Sequence, residues 1–159
     1  MSIDERRAEI EESIDPHDVV SVVHGIDDLT ALLAQAAPAD AVGVLLALGR
    51  WTHELDRSDD LADIAAQIMA SPYAQGLDRL WGQYWMAEAA ADLHGVDPLP
   101  IHRALLAELA DDHSPAATAL GTRLWHRVLD ADDAAHTLPA YQSWGRERFA
   151  TATAEDRAS

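Results

Sequence analysis

Two clusters of aspartate are the residues of this chain whose type and spacing could do chemistry. The first cluster, spaced at three and four residues as one face of a helix requires, comprises Asp56, Asp59, Asp60 and Asp63. The second cluster, later in the chain, comprises Asp130, Asp132 and Asp133. Exposed carboxylates attract the arginine and lysine side chains of another protein. These aspartates are therefore predicted to bind a basic protein partner, in the manner of an inhibitor, an immunity protein or an adaptor.

The start of the first cluster also has a structural interpretation. Ser58, Asp59 and Asp60 directly precede the apolar residues of a predicted helix. Serine and aspartate at such a position cap the free backbone N–H groups of the first turn and complement the helix dipole. Capping is the preferred interpretation for Asp59 and Asp60, and a binding face is the alternative.

Aromatic side chains form a second candidate set, which comprises Trp51, Trp81, Tyr84, Trp85 and Trp125. The three central members follow one stripe of a predicted helix. Such rings can line an apolar pocket, so the alternative function is a helical accessory or sensor protein that binds a small apolar ligand. The same stripe also fits a packed core in which each indole N–H donates to a carbonyl.

Catalytic and metal-binding motifs are missing from the sequence. Eight histidines occur, but none stands in an HExxH motif or in the paired ExxH motifs of di-iron bundles. Cysteine is absent, which removes disulfides, thiolate ligands and thiol nucleophiles. The nucleotide and nucleophile motifs GxGxxG, GxxxxGK[ST] and GxSxG are absent as well. The sequence therefore predicts a protein that is not an enzyme and has no metal or cofactor. A metal-dependent helical enzyme is the third alternative.

The charge of the chain limits its partners. Its 159 residues carry 28 acidic and 11 basic side chains, all of the basic ones arginine, for a net charge of −17. This excess repels phosphate backbones and anionic lipids, so neither nucleic acid nor a membrane is a predicted partner. The charged start of the chain lacks the apolar core of a secretory signal, and a bacterial cytoplasm is the predicted location. The oligomeric state is left open.

Apolar residues recur at three and four positions through most of the chain, and no sustained alternation indicates a strand. Aspartate or serine before proline marks four helix starts, and Gly25 and Gly95 mark two helix ends. The predicted helices are residues 4–13, 16–24, 28–37, 39–57, 59–70, 72–94, 98–111, 115–130 and 138–150. These segments predict an all-α fold, either a compact helical bundle or a short irregular α-solenoid of stacked helix hairpins. A single domain is expected over residues 1–150, with a flexible polar tail at 151–159.

An internal repeat is predicted between residues 31–60 and residues 104–133. The letters ALLA begin both segments, and Trp51 and Leu55 recur as Trp125 and Leu129. A helix hairpin cannot bury its apolar face alone, so repeated hairpins stack on one another. In each hairpin, the shorter helix is expected to pack on the longer one, with the tryptophan closing the seam between them.

Overall fold

Helices are the regular structure in the part of the chain that the structure describes. The computed structural model describes the backbone of residues 1–131 and 134–158, and the side chains of residues 1–131 and 137–151. The helices, in chain order, are α1 (Ile3–Ser13), α2 (Val19–Leu33), α3 (Pro38–Glu54), α4 (Ser58–Ala70), α5 (Gly76–His94), α6 (Leu99–Glu108), α7 (Pro115–Ala131) and α8 (Ala134–Ala158). No strand occurs in the described ranges, and the predicted all-α fold is confirmed.

The chain divides into two units, each built from helices that pack on their neighbours along the sequence. In the first unit, Met1–Val96, α4 packs against α3 and α5, α2 packs against α3, and α1 contacts both α2 and α3. In the second unit, Asp97–Ser159, α7 packs against α6 and α8. The single domain expected over residues 1–150 stays a prediction.

Helix α4 shows how apolar periodicity builds the first unit. Its buried residues are Leu61, Ile64, Ala65 and Ile68. Their spacing of three and four residues places them on one face of the helix. Because α4 packs against both α3 and α5, this face fixes the rotation of α4 about its own axis. The same rotation directs the polar residues of α4 towards solvent.

Glycine allows α3 and α5 to approach each other closely in the first unit. Trp85 of α5 is only 1% exposed, and its ring lies against Gly49 of α3. A Cβ at residue 49 would overlap the ring, so a larger residue there would displace it. In the second unit, the ring of Trp144 in α8 lies in the same way against Gly121 of α7. In both places the indole fills space that a side chain would otherwise occupy.

Helix α2 is one continuous helix where the sequence predicts two, at residues 16–24 and 28–37. The predicted helix end at Gly25 is wrong, because this residue is buried within α2. The side chain of Ile14 fills the space that a Cβ at Gly25 would take, so close packing explains the glycine. The helix end predicted at Gly95 is confirmed, since Gly95 terminates α5 in the left-handed region with a φ of 65°.

The pairs of serine or aspartate with proline begin helices in some places and turns in others. Ser114–Pro115 starts α7, and the backbone N–H of Ala117 donates to Ser114 Oγ over 3.2 Å. By contrast, the side chains of Asp15 and Ser71 each accept a hydrogen bond from the backbone N–H two residues later. These local bonds turn the chain, so α2 and α5 begin a few residues after the predicted positions.

The last helix is longer than the segment predicted at residues 138–150. Helix α8 extends from Ala134 to Ala158, so the backbone is helical through most of the expected tail at 151–159. Alanine, glutamate and arginine in this stretch have high intrinsic helix propensity, which outweighs the lack of apolar residues. The polarity of a segment is therefore a poor guide to where this helix ends.

Each segment of the predicted repeat contains the end of one helix and the whole of the next, and α2 packs on α3 as α6 packs on α7. Their tryptophans differ in position, because Trp51 lies three residues before the end of α3 and Trp125 six residues before the end of α7. Both side chains are half-buried. Aligning them also aligns Arg50, which is exposed, with Leu124, which is fully buried. The buried faces do not match in this alignment, and the repeat stays a prediction.

An arginine holds the end of a helix in the first unit. Arg79 of α5 donates hydrogen bonds to the carbonyls of Met69 and Ser71, over 2.7 and 2.9 Å. These carbonyls lie at the end of α4, where the last residues of any helix lack intrahelical donors. The guanidinium also places positive charge at the negative end of the α4 dipole.

In the second unit, an arginine that is almost completely buried also donates hydrogen bonds to carbonyls at a helix end. Arg148 of α8 donates to the carbonyls of Leu109 and Asp112 beyond the end of α6, over 2.9 and 3.3 Å. Its guanidinium carbon lies 4.1 Å from the centre of the Trp144 ring. Burial lowers the pKa of Arg148, while the carboxylates of Glu147 and Asp112 raise it. The guanidinium thereby joins α8 to the turn between α6 and α7.

Replacing this buried guanidinium tests how much it stabilises the second unit. We expect Arg148→Met to lower the free energy of unfolding by about 2 kcal/mol, because carbonyls at the end of α6 lose a charged donor. Arg146→Met is the matched control, since Arg146 lies on the same helix and is exposed. The control is expected to change stability by less than about 0.5 kcal/mol. Urea unfolding followed by circular dichroism measures both, and equal effects would contradict the role assigned to Arg148.

Candidate partner-binding surface

Three aspartates of the first cluster lie together on the outward side of α4. Asp59, Asp60 and Asp63 are exposed, and their spacing of three and four residues places them on one face opposite the buried residues of α4. No ion pair joins any of them to a described arginine. Their charges are therefore uncompensated by the side chains around them.

Asp59 and Asp60 do not make the capping hydrogen bonds that the sequence predicts for them. Helix α4 already begins at Ser58, and the residue before it, Arg57, makes no side-chain cap bond. The hydroxyl of Ser58 donates instead to Asp92 Oδ2 over 2.6 Å, which joins α4 to α5. Asp59 and Asp60 lie in the first turn, where their charge favours the helix dipole without a capping bond.

Asp56 departs from the predicted helical face, because it lies in the turn between α3 and α4. Its φ of 53° falls in the left-handed region, which glycine adopts most readily. Its backbone N–H donates to the carbonyl of His53, and the next N–H, of Arg57, donates to the carbonyl of Thr52. This bonding closes α3 as a Schellman motif, in the position where α5 has Gly95.

The four aspartates at this end of α4 define one surface, here called the α4 acidic surface, which comprises Asp56, Asp59, Asp60 and Asp63. The second cluster belongs to the second unit, where Asp130 is exposed on α7. Asp132 and Asp133 lie outside the described residues. The expectation that the two clusters form a single acidic surface stays a prediction.

Two members of the aromatic set lie in the core of the first unit. Tyr84 and Trp85 are 2% and 1% exposed, and the ring of Trp81 packs against both, with centres 6.0 and 5.1 Å away. Trp51 is half-buried in α3. Trp125 belongs to the second unit, where its ring centre lies 6.1 Å from that of Tyr141. The pocket predicted from these side chains stays a prediction, and Tyr84 and Trp85 act in packing.

The indole nitrogens differ from the expectation that each donates to a carbonyl. The Nε1 atoms of four tryptophans are buried and lack a hydrogen-bond acceptor among the described residues, namely those of Trp51, Trp85, Trp125 and Trp144. Ring packing, including the contacts with Gly49 and Gly121, therefore holds these side chains in place. Within the described ranges, no group of three or more His, Asp or Glu side chains is placed to hold a metal ion.

Sequence reasoning missed two features that shape the α4 acidic surface. One is the left-handed conformation of Asp56, and the signal for it is modest: aspartate tolerates this conformation better than most residues with a side chain. The other is the hydrogen bond between Ser58 and Asp92, which are 34 residues apart. No local pattern reports such a pair, because it depends on how α4 and α5 pack.

The conformation of Asp56 leads to a prediction about stability. We expect Asp56→Gly to raise the free energy of unfolding by about 1 kcal/mol, because glycine adopts the left-handed region without the steric cost of a Cβ. The reverse change, Gly95→Asp, should lower stability by about the same amount at the end of α5. Urea unfolding measures both, and a loss of stability in Asp56→Gly would show that the aspartate side chain itself stabilises the turn.

Comparison with known proteins assigns no family or function to the chain. No family model, no curated protein and no solved structure matches the chain. Among the described residues, none of the helices has both the length and the apolar character that crossing a membrane requires. The charges and packing of the chain itself are therefore the basis for inferring its function.

Proposed function

We propose that this protein is a non-catalytic binding module whose α4 acidic surface takes a basic protein partner. The observation that carries the proposal is a set of exposed carboxylates on one side of a helix, uncompensated by any described arginine. Desolvating such a surface against another acidic or neutral protein is unfavourable. A partner rich in arginine or lysine supplies the missing positive charge.

The distribution of charge between the two units supports this surface over the second cluster. The first unit carries 18 acidic residues against five basic ones, whereas the second carries 10 against six. The field around the first unit is therefore strongly negative, which raises the rate at which a cationic protein meets it. The same field repels nucleic acids and anionic membranes, which favours a protein as the partner.

The position of Asp56 also supports a binding role. Its backbone is in a conformation that costs free energy for a residue with a Cβ. Its carboxylate follows the C-terminal end of α3, where the helix dipole disfavours negative charge. Neither feature stabilises the fold, so recognition of a cation by Asp56 gives a reason for aspartate at this position.

The surface is also held rigid, which reduces the entropy lost on binding. Arg79 secures the far end of α4, and the bond from Ser58 to Asp92 secures its start. The buried face of α4 fixes the helix against α3 and α5. A partner therefore meets carboxylates whose backbone positions are already set, as suits an inhibitor or an adaptor.

Neutralising the exposed aspartates of α4 tests the proposed function. We expect the unchanged chain to bind and retain a basic protein from an extract of its own host. The triple variant Asp59→Asn, Asp60→Asn and Asp63→Asn should fail to retain that protein. Each lost charge contact in a binding interface costs about 1 kcal/mol or more, so the combined loss should exceed about a hundredfold in affinity. Binding by the unchanged chain should also weaken steeply as salt is raised.

The matched control changes the net charge equally but at other exposed positions of the first unit. It combines Glu12→Gln, Asp27→Asn and Asp40→Asn, which lie on α1, α2 and α3. The control should keep most of the affinity, because only the long-range field is reduced. Equal losses in the two triple variants would mean that net charge, and not the α4 acidic surface, governs binding.

A further inference from the structure

A cleft of about 320 Å³ lies between α1 and α2 in the first unit. The residues that line its two walls include Ile3, Arg6 and Ile10 on α1 and Asp28 and Leu32 on α2, with Gln35 just beyond the end of α2. On each helix these residues are spaced three or four apart, so they share one face of that helix. Sites for small ligands have volumes of about 300 to 1,000 Å³, and this cleft lies at the small end of that range.

The cleft combines buried apolar residues with opposite charges on its two walls. Ile10 and Leu32 are the buried apolar residues that line it. Arg6 and Asp28 are exposed on opposite walls and do not pair with each other. The guanidinium of Arg6 lies 3.3 Å from Glu9 on its own helix, and no described side chain bonds to the carboxylate of Asp28. An exposed pair such as Arg6 and Glu9 is weak, so Arg6 is available to a ligand.

The surroundings of the cleft select against a ligand with a net negative charge. Glu5, Glu9 and Glu12 line an adjacent open groove along α1, and the first unit as a whole is acidic. A simple anion that pairs with Arg6 would therefore be repelled by its neighbours and would leave Asp28 unpaired. A simple cation would pair with Asp28 and would leave Arg6 only its weak exposed pair with Glu9. A ligand with both charges and no net charge satisfies the two walls at once.

We propose that this cleft binds a free aliphatic α-amino acid, with leucine as the representative. The carboxylate of the ligand pairs with Arg6, its ammonium group pairs with Asp28, and its side chain covers Ile10 and Leu32. The modest volume suits a single amino acid better than a larger metabolite. This site goes beyond the proposed protein partner, because it uses α1 and α2 and none of the residues of the α4 acidic surface.

Titration of the isotope-labelled full chain with L-leucine, followed by amide NMR, tests the proposal. We expect saturable shifts at Ile3, Ile10 and Leu32, with a dissociation constant of about 1 mM or tighter. Two analogues separate the charges: 3-methylbutylamine lacks the carboxylate, and 4-methylpentanoate lacks the ammonium group. Each should bind about tenfold more weakly than leucine, because one wall of the cleft loses its charged partner.

Variants of the two walls provide the second arm of the experiment. Arg6→Gln and Asp28→Asn should each weaken leucine binding about tenfold while the amide spectrum stays that of a folded chain. Asp27→Asn is the matched control, since Asp27 is the exposed neighbour of Asp28 on α2 and does not line the cleft. It should leave leucine binding unchanged. The triple α4 variant should also bind leucine normally, which separates this site from the protein partner.

Three results would overturn the proposal. The first is the absence of saturable shifts up to about 20 mM leucine. The second is leucine binding that is unaffected by both Arg6→Gln and Asp28→Asn. The third is 4-methylpentanoate binding as tightly as leucine, which would show that the apolar side chain and Arg6 suffice and that no zwitterion is recognised.

Discussion

Arginine at the ends of helices is the interaction on which much of this structure depends. Arg79 bonds to carbonyls at the end of α4, and Arg148 bonds to carbonyls beyond the end of α6. Because the last carbonyls of a helix have no intrahelical donor, these bonds supply donors from a neighbouring helix. The chain has 11 basic residues for 28 acidic ones, so carboxylates without a basic partner remain however the arginines are used. The exposed aspartates of α4 belong to this excess of negative charge.

Glu11 joins α1 to the rest of the first unit through ion pairs with arginine. Helix α1 has little apolar surface of its own. Ile10 is the buried residue of this helix, so apolar packing holds it at few points. Glu11 accepts hydrogen bonds from Arg7 on the same helix and from Arg50 on α3, over 2.8 and 2.7 Å. Because Glu11 is half-buried, these ion pairs are screened less than fully exposed ones. The cleft between α1 and α2 lies beside this helix and is lined on the α1 side by Ile3, Arg6 and Ile10.

The periodic parts of the fold could be predicted from the sequence, whereas the parts that depend on tertiary packing could not. The face of α4 follows from its apolar spacing, and the exposure of Asp59, Asp60 and Asp63 follows from that face. Gly25 could not be read in this way, because a buried glycine in a helix and a glycine at a helix end look alike until Ile14 is seen beside it. The roles of Arg79 and Arg148 escaped prediction for a similar reason. An arginine that bonds to distant carbonyls has no local pattern that distinguishes it from a solvated one.

Distance decides which of the many carboxylates act together at a binding surface. At physiological salt the Debye length is about 8 Å, so exposed charges farther apart than this are largely screened from one another. Residues three and four apart on a helix have Cβ atoms about 5 to 6 Å apart, which is inside that limit. Asp59, Asp60 and Asp63 therefore present a joint charge to a partner in contact, whereas carboxylates elsewhere in the first unit act on its approach. Net charge thus sets how fast a cationic protein arrives, and the arrangement of α4 sets where it is held.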